Sequence, residues 1–321
     1  MAVFTPLTAP EVQAFLARYD LPGLARLEPI LAGVENTNYQ VLLVDGQRFA
    51  LTLFERHRGG ADLPFLLGFA AHLAAQGFPA AHALPDSAWH MFSSLKDRPA
   101  ALVRWVAGRG LELPNAAEAA QAGSALARMH NLAPGFTQRR DNPFGPARWD
   151  QLLARCQEGG TQEWAPALHA LETESQALRA CWPRDLPAGP IHGDYFPDNV
   201  LFAGETLSGV IDFGFACSDF FAYDLAIALN AWGFDGAGQA LPDLLEAFLV
   251  GYGRVRALTS LEAAALPILL RGASLRFALS RLHDQLFHDP LWRVIPKDPR
   301  AFFSRLAHFQ AKAGVTPMPL A

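Results

Sequence analysis

The chain has 321 residues, 51% of them hydrophobic and 18% charged, with a formal net charge of −5. That is apolar residue enough for a large buried interior, and nothing in the makeup reads as disorder. A mildly acidic chain whose positive charge is mostly Arg lacks the clustered basic surface that non-specific nucleic-acid binding requires, so no nucleic-acid partner is expected.

The first element is a short amphipathic helix: Thr8 is its N-cap, Glu11 stands three places on, and Val12, Phe15 and Leu16 form its apolar face. No basic stretch leads into an apolar run, so it is not a secretory leader. Short β-type runs follow at 27–31, 39–44 and 49–54, the last two joined by an Asp45-Gly46 turn. An apolar-periodic helix covers 63–75, closed by Gly77 and Pro79. Strands near 90–95 and 100–106 flank the polar turn 96–99. This is one antiparallel sheet carrying one long helix. Beyond Gly108 the periodicity is helical, at 116–130, 149–157, 165–180, 223–232, 241–252 and 260–286. Two β-like stretches, 191–202 and 207–213, interrupt it and are dense in polar residues, which is where chemistry tends to sit. The class is α+β, with a β-rich lobe over 1–104 and a mainly helical lobe over 105–321.

Cys156, Cys181 and Cys217 are too few and too scattered for a disulfide framework or a zinc site, and read as buried free thiols in a reducing cytosol. One of the longest apolar runs, 263–270, ends at Arg271 and is too short to span a bilayer. No membrane partner is expected, the location is cytoplasmic, and the chain acts as a monomer or homodimer.

The chemistry concentrates in Ile191-His192-Gly193-Asp194-Tyr195-Phe196-Pro197-Asp198-Asn199, followed after a hairpin by Ile211-Asp212-Phe213-Gly214. Phosphoryl transfer needs a carboxylate near the attacking hydroxyl and oxygen ligands for Mg²⁺. Asp194 supplies the first, and a hairpin would return Asp212 to the side of Asn199 to supply the second. A metallohydrolase reading of His192, Asp194 and Asp212 leaves Asn199 idle and has no second histidine nearby.

The order HxDxxxxN followed by DFG resembles the protein-kinase fold, and Gly193 in HGDxxPxN is similar to the aminoglycoside and choline kinase branch. The resemblance implies a two-lobed kinase-like fold using ATP and Mg²⁺. Asp194 would be the catalytic base, Asn199 and Asp212 the metal ligands, and His192 a structural histidine. Asp224 follows Asp212 too closely to leave a peptide platform, so the acceptor is a small molecule, and Asp224 would brace the catalytic loop from below. In the small lobe, Gly33, Asn36, Thr37 and Asn38 lie where kinases fold a loop over the phosphates, and Arg104 to Val106 where main chain meets adenine. Thr52 departs from the pattern: it stands where kinases carry a phosphate-clamping Lys, and the following helix lacks its Glu partner. Either Arg56, Arg58 or the Asn-rich turn grips the phosphates, or the chain is a non-catalytic, nucleotide-binding pseudokinase.

Over nearly its whole length the chain is similar to the homoserine kinases of the aminoglycoside-phosphotransferase fold. GVENTNYQV, the lysine-less FALTLFE, IHGDYFPDNVLF, GVIDFGFACSDFFAYDLAIALNAW and LPILLRGASLRFALSRLHD carry the likeness. It implies phosphorylation of the side-chain hydroxyl of homoserine, on the way to threonine, with Thr52 as the family's normal state. Homoserine's carboxylate asks for an Arg. Arg271 and Arg276 lie in the apolar helix 263–286, either binding the acceptor or paired with Asp224, Asp284 or Glu262. Asn230 and Trp232 would contact the ligand or pack. The aromatic crowding around Tyr195, Phe213 and Phe220 keeps a choline-type acceptor open as the alternative.

Overall fold

Residues 4–31, 36–55, 60–288 and 296–315 are described in the computed structural model, and the chain separates into two units. One comprises Met1–Gly108 with Ser208–Gly214, the other Arg109–Leu207 with Phe215–Ala321.

In the first unit, α1 (Ala9–Leu16) precedes the strands β1 (Leu24–Pro29), β2 (Thr37–Leu43) and β3 (Arg48–Leu53), the helix α2 (Leu63–Ala75), and β4 (Ser93–Leu95) and β5 (Arg98–Arg104). The strands form one antiparallel sheet in the order β1-β2-β3-β5-β4. Alternation decides its faces: Tyr39, Val41 and Leu43 join Phe49, Leu51 and Leu53 in a core that also takes Val12, Phe15 and Leu16 of α1. Glu11 accepts from the Thr8 N–H at 2.7 Å, the capping box expected from the sequence. Gly77 ends α2 at φ +73°, and the Phe78 N–H returns to the Leu73 carbonyl at 3.0 Å.

β1 and β2 begin three and two residues earlier than the expected 27–31 and 39–44, and two further strand bounds differ for local reasons. Lys96 and Asp97, both at positive φ, make a two-residue turn pairing Leu95 with Arg98, so β5 starts two residues early and the polar turn is shorter than 96–99. The strand expected over 90–95 shrinks to Ser93–Leu95. Upstream of it, Asp86 collects the N–H groups of Ala88 and His90 at 3.0 and 2.9 Å and the Arg18 guanidinium at 3.1 Å, which holds that segment as a loop.

The second unit contains the helices α3 (Ala116–Leu132), α4 (Pro146–Gly159) and α5 (Ala165–Cys181), then β6 (Ala188–Ile191), β7 (Val200–Ala203) and β8 (Thr206–Val210), whose last residues count with the first unit. There follow β9 (Cys217–Phe220), α6 (Phe221–Trp232), α7 (Pro242–Val255), α8 (Ser260–Leu286) and α9 (Arg300–Lys312). β6 and β9 pair antiparallel from Ala188↔Phe220 to Ile191↔Cys217. β9 and α9 were not expected from the sequence. By length and composition alone α8 reaches the span a membrane helix needs, contrary to the reading of 263–270, but 61% of its apolar window is buried inside the protein. It is the central helix of its unit, in contact with α4, α5, α6 and α9.

Candidate active site

The catalytic segment is built from its anchors. β6 delivers the chain to His192, which is fully buried, and Gly193 takes φ +74°. A Cβ there would stand 2.6 Å from the Phe215 carbonyl oxygen, which is one physical reason for glycine beside Asp194. Asp224, in the first turn of α6, holds this bend. It accepts from the His192 N–H at 2.8 Å, the Gly193 N–H at 2.9 Å and His130 Nε2–H at 3.0 Å. Burial opposes its charge, but the hydrogen bond and charge of His130, the charge of His192 and the His192 N–H hold its carboxyl below the usual carboxylate range. Burial likewise lowers His130, whose ring also meets the Tyr252 hydroxyl at 2.8 Å and stacks on Phe221.

Beyond the bend, the Asp194 N–H donates to His192 Nδ1 at 3.3 Å, and a single 3₁₀ turn over Pro197–Asn199 leads into β7. Asn199 donates its amide hydrogens to the Asp194 carbonyl at 2.9 Å and to Asp194 Oδ2 at 3.2 Å. One side chain thus fixes both the main chain and the carboxylate of Asp194, and its Oδ1 is left as the atom able to ligate a cation. Asp194 is half-buried, reachable by a substrate yet held from behind.

Asp212 belongs to the other unit. It is exposed, has φ +60°, and its Oδ1 accepts from the Gly214 N–H at 3.3 Å as the chain enters a turn over Phe213–Phe215. A non-glycine residue in that conformation carries local strain of about 1 kcal/mol, of a kind found at functional sites.

In the first unit, Thr37 does not face a nucleotide. Its hydroxyl oxygen accepts from the Phe4 and Thr5 N–H groups and donates to Glu55, on the buried face of β2. Asn38, on the opposite face, pairs in register with Thr52, whose hydroxyl donates to Asn38 Oδ1 at 2.8 Å. Asn36 Oδ1 is buried without a hydrogen-bond partner among the described residues. Gly33, Arg56 and Arg58 lie outside the described residues. The Arg104 N–H, expected near the adenine, is taken by the His82 carbonyl at 2.9 Å.

Two expected acceptor contacts are corrected. Asn230 is fully buried and spent: its amide donates to the Ala226 and Leu270 carbonyls, and its oxygen accepts from the Ser274 hydroxyl. Trp232 is buried with its indole N–H on the Tyr195 carbonyl at 3.0 Å, bracing the catalytic loop instead of touching a ligand. Arg271 pairs with Glu174 at 2.7 and 2.9 Å, not with the acids expected. Arg276 has no acidic partner among the described residues.

Among the described residues no group of three His, Cys, Asp or Glu side chains forms a metal cage. Asn199 and Asp212, one in each unit, each offer an oxygen donor of the kind that suits Mg²⁺ carried in on substrate phosphates. His130 was missed by sequence reading because it meets Asp224 from 94 residues away.

Residues 26–258 match the family described as the phosphotransferase enzyme family. A homoserine kinase of Beijerinckia indica is 43% identical over 100% of this chain and 99% of its own length. One from Rhodospirillum rubrum is 42% identical over 98% of each. Among solved structures, an amicoumacin kinase in complex with AMP-PNP, Ca²⁺ and amicoumacin superposes with a TM-score of 0.70 at 14% identity, over 98% of this chain and 96% of that one. A microcompartment-associated aminopropanol kinase gives 0.67 at 17% identity, over 98% and 100%. These distant structures share the fold.

Proposed function

The chain belongs to the homoserine kinases of the phosphotransferase enzyme family, and from that membership we propose how its residues transfer the γ-phosphoryl group of ATP to the side-chain hydroxyl of L-homoserine. The observation that carries the reading is the double tie of Asn199 to Asp194 within a loop anchored on Asp224.

Asp194 orients the hydroxyl and accepts its proton while the oxygen bonds to the γ-phosphorus and the bond to the β,γ-bridging oxygen breaks, giving O-phosphohomoserine and ADP. Mg²⁺, held through Asn199 Oδ1 and Asp212 together with the nucleotide phosphates, would offset the negative charge there. The product is a threonine precursor, and the location we assign is cytoplasmic.

Thr52 and Asn38 answer the missing lysine. With its oxygen engaged by Thr52, Asn38 has its NH₂ group left to donate to a phosphate oxygen. Asn38→Ala should raise KM for MgATP by roughly 10-fold, about the worth of one hydrogen bond to a charged group, with KM for homoserine unchanged. Steady-state titration of each substrate checks this, and equal shifts in both constants would contradict it.

The activity itself is tested by ADP release with L-homoserine, choline and an aminoglycoside as acceptors at fixed MgATP. Release dependent on L-homoserine is expected, and release with choline alone would overturn the assignment.

A further inference from the structure

Five arginines of α8 and α9 are wholly or partly buried, and they divide by what their guanidinium groups meet; Arg300 has Glu163. Arg271 has Glu174. Arg305 donates to the Asn230 and Asp235 carbonyls at 2.6 and 3.1 Å. Arg276 and Arg281 have no carboxylate within ion-pair distance among the described residues. Arg276 is 4% exposed, and its Nη1 finds no hydrogen-bond partner among them. Among the described residues Arg281 makes one hydrogen bond, a long one of 3.4 Å to the Asp298 carbonyl.

Both lie against one aromatic group that begins at the catalytic loop. The Arg276 guanidinium carbon is 3.8 Å from the Phe277 ring centre, and that of Arg281 is 4.5 Å from Phe302. Phe277 and Phe302 stack at 4.9 Å, and Phe196, two residues from Asp194, meets Phe277 edge-on at 5.0 Å. Burial lowers Arg281 to about 10, and among its charged neighbours Asp194 and Asp198 pull it back up while Arg276 pushes it down. Two desolvated cations that repel each other are unfavourable in the free protein and become favourable when an anion arrives, and one of them, Arg281, already feels the charge of Asp194.

We propose that Arg276 and Arg281 hold the carboxylate of the amino-acid acceptor, extending its hydroxyl toward Asp194. The assignment rests on the homoserine kinase reading and adds to it the basis of discrimination: an amino alcohol lacking the carboxylate leaves both arginines unpaired. Phe277 and Phe302 keep the guanidinium planes in place, so the anion meets donors already oriented.

The test compares kcat/KM for L-homoserine with that for L-homoserinol, in which CH₂OH replaces the carboxylate. Arg281→Ala should lower the homoserine-to-homoserinol ratio by about 10- to 150-fold, the range for losing a hydrogen bond to a charged group. Arg281→Lys should recover part of it, and KM for MgATP should stay put. Arg276→Lys, chosen because truncating so buried a residue threatens folding, should lower the ratio in the same direction. An unchanged ratio in Arg281→Ala and Arg276→Lys overturns the proposal while wild-type turnover of homoserine leaves the parent reading standing. Absence of wild-type turnover with homoserine sinks the parent reading itself, and this inference with it.

Discussion

Asp194→Ala lowers kcat by about 10²- to 10⁴-fold, the usual share of a positioned general base, and changes KM for MgATP little. The split follows from the site. In the proposed mechanism the half-buried Asp194 orients the acceptor hydroxyl, whereas the groups assigned to the nucleotide, Asn38 and Asp212, lie in the other unit. The fold should survive the change, because the bend before Asp194 is held by its main chain on Asp224 and the Asn199 amide keeps its bond to the residue 194 carbonyl. Rapid-quench and steady-state kinetics with MgATP and L-homoserine check it. A variant with near wild-type kcat would remove Asp194 from the chemistry.

Asp224→Ala has the largest expected effect on stability, a loss of about 3–5 kcal/mol, because it leaves His130 and the N–H groups of His192 and Gly193 buried without an acceptor. Asp224→Asn keeps the volume but turns an NH₂ group toward one of those donors, so it should fold, be less stable, and lose activity as the loop loosens. By contrast Asp198→Ala, which removes an exposed 3.6 Å pair with Lys297 and one of the charges acting on Arg281, should cost under about 1 kcal/mol. Urea unfolding measures all three. The pH dependence has a fixed sign. A carboxyl held below its unfolded pKa contributes stability that is complete above that value, about 3.9 for Asp, and is lost as the pH falls through the folded one. Wild-type stability should therefore drop in acid below about pH 4, and Asp224→Asn should flatten that part of the curve. An Asp224→Ala protein as stable as wild type would contradict the anchoring role.

Much of this was legible in the residues because the signals are local. The capping box at Thr8 and Glu11, the Gly77 stop, and the tie of Asn199 to Asp194 all sit within a few residues of what they specify. Asp224 carried a trace of its role in standing in the first turn of α6, where a carboxylate suits the helix N-terminus. What stayed hidden depends on distant partners. Asn230 and Trp232 look like ligand contacts until Ser274 and Tyr195 are found to occupy them. Thr37 and Asn38 are neighbours of the same chemistry, and only the pleat of β2 sends one to the core and the other to Thr52. β9 is a four-residue polar run, Cys-Ser-Asp-Phe, whose strand character comes from pairing with β6. α9 was readable, since Phe302, Phe303, Leu306 and Phe309 recur at helical spacing, and Arg281 carried the same signal as Arg276 in the same helix.

The central claim is that phosphate reaches the side-chain oxygen of homoserine through Asp194. Its most direct measurement is ³¹P–¹H correlation NMR of the product made from MgATP and L-homoserine. The account predicts a phosphomonoester coupled to the Cγ protons with wild-type enzyme and almost none with Asp194→Ala. Phosphate found on the carboxylate or amine, or the same ester formed as fast without the Asp194 carboxylate, would contradict it.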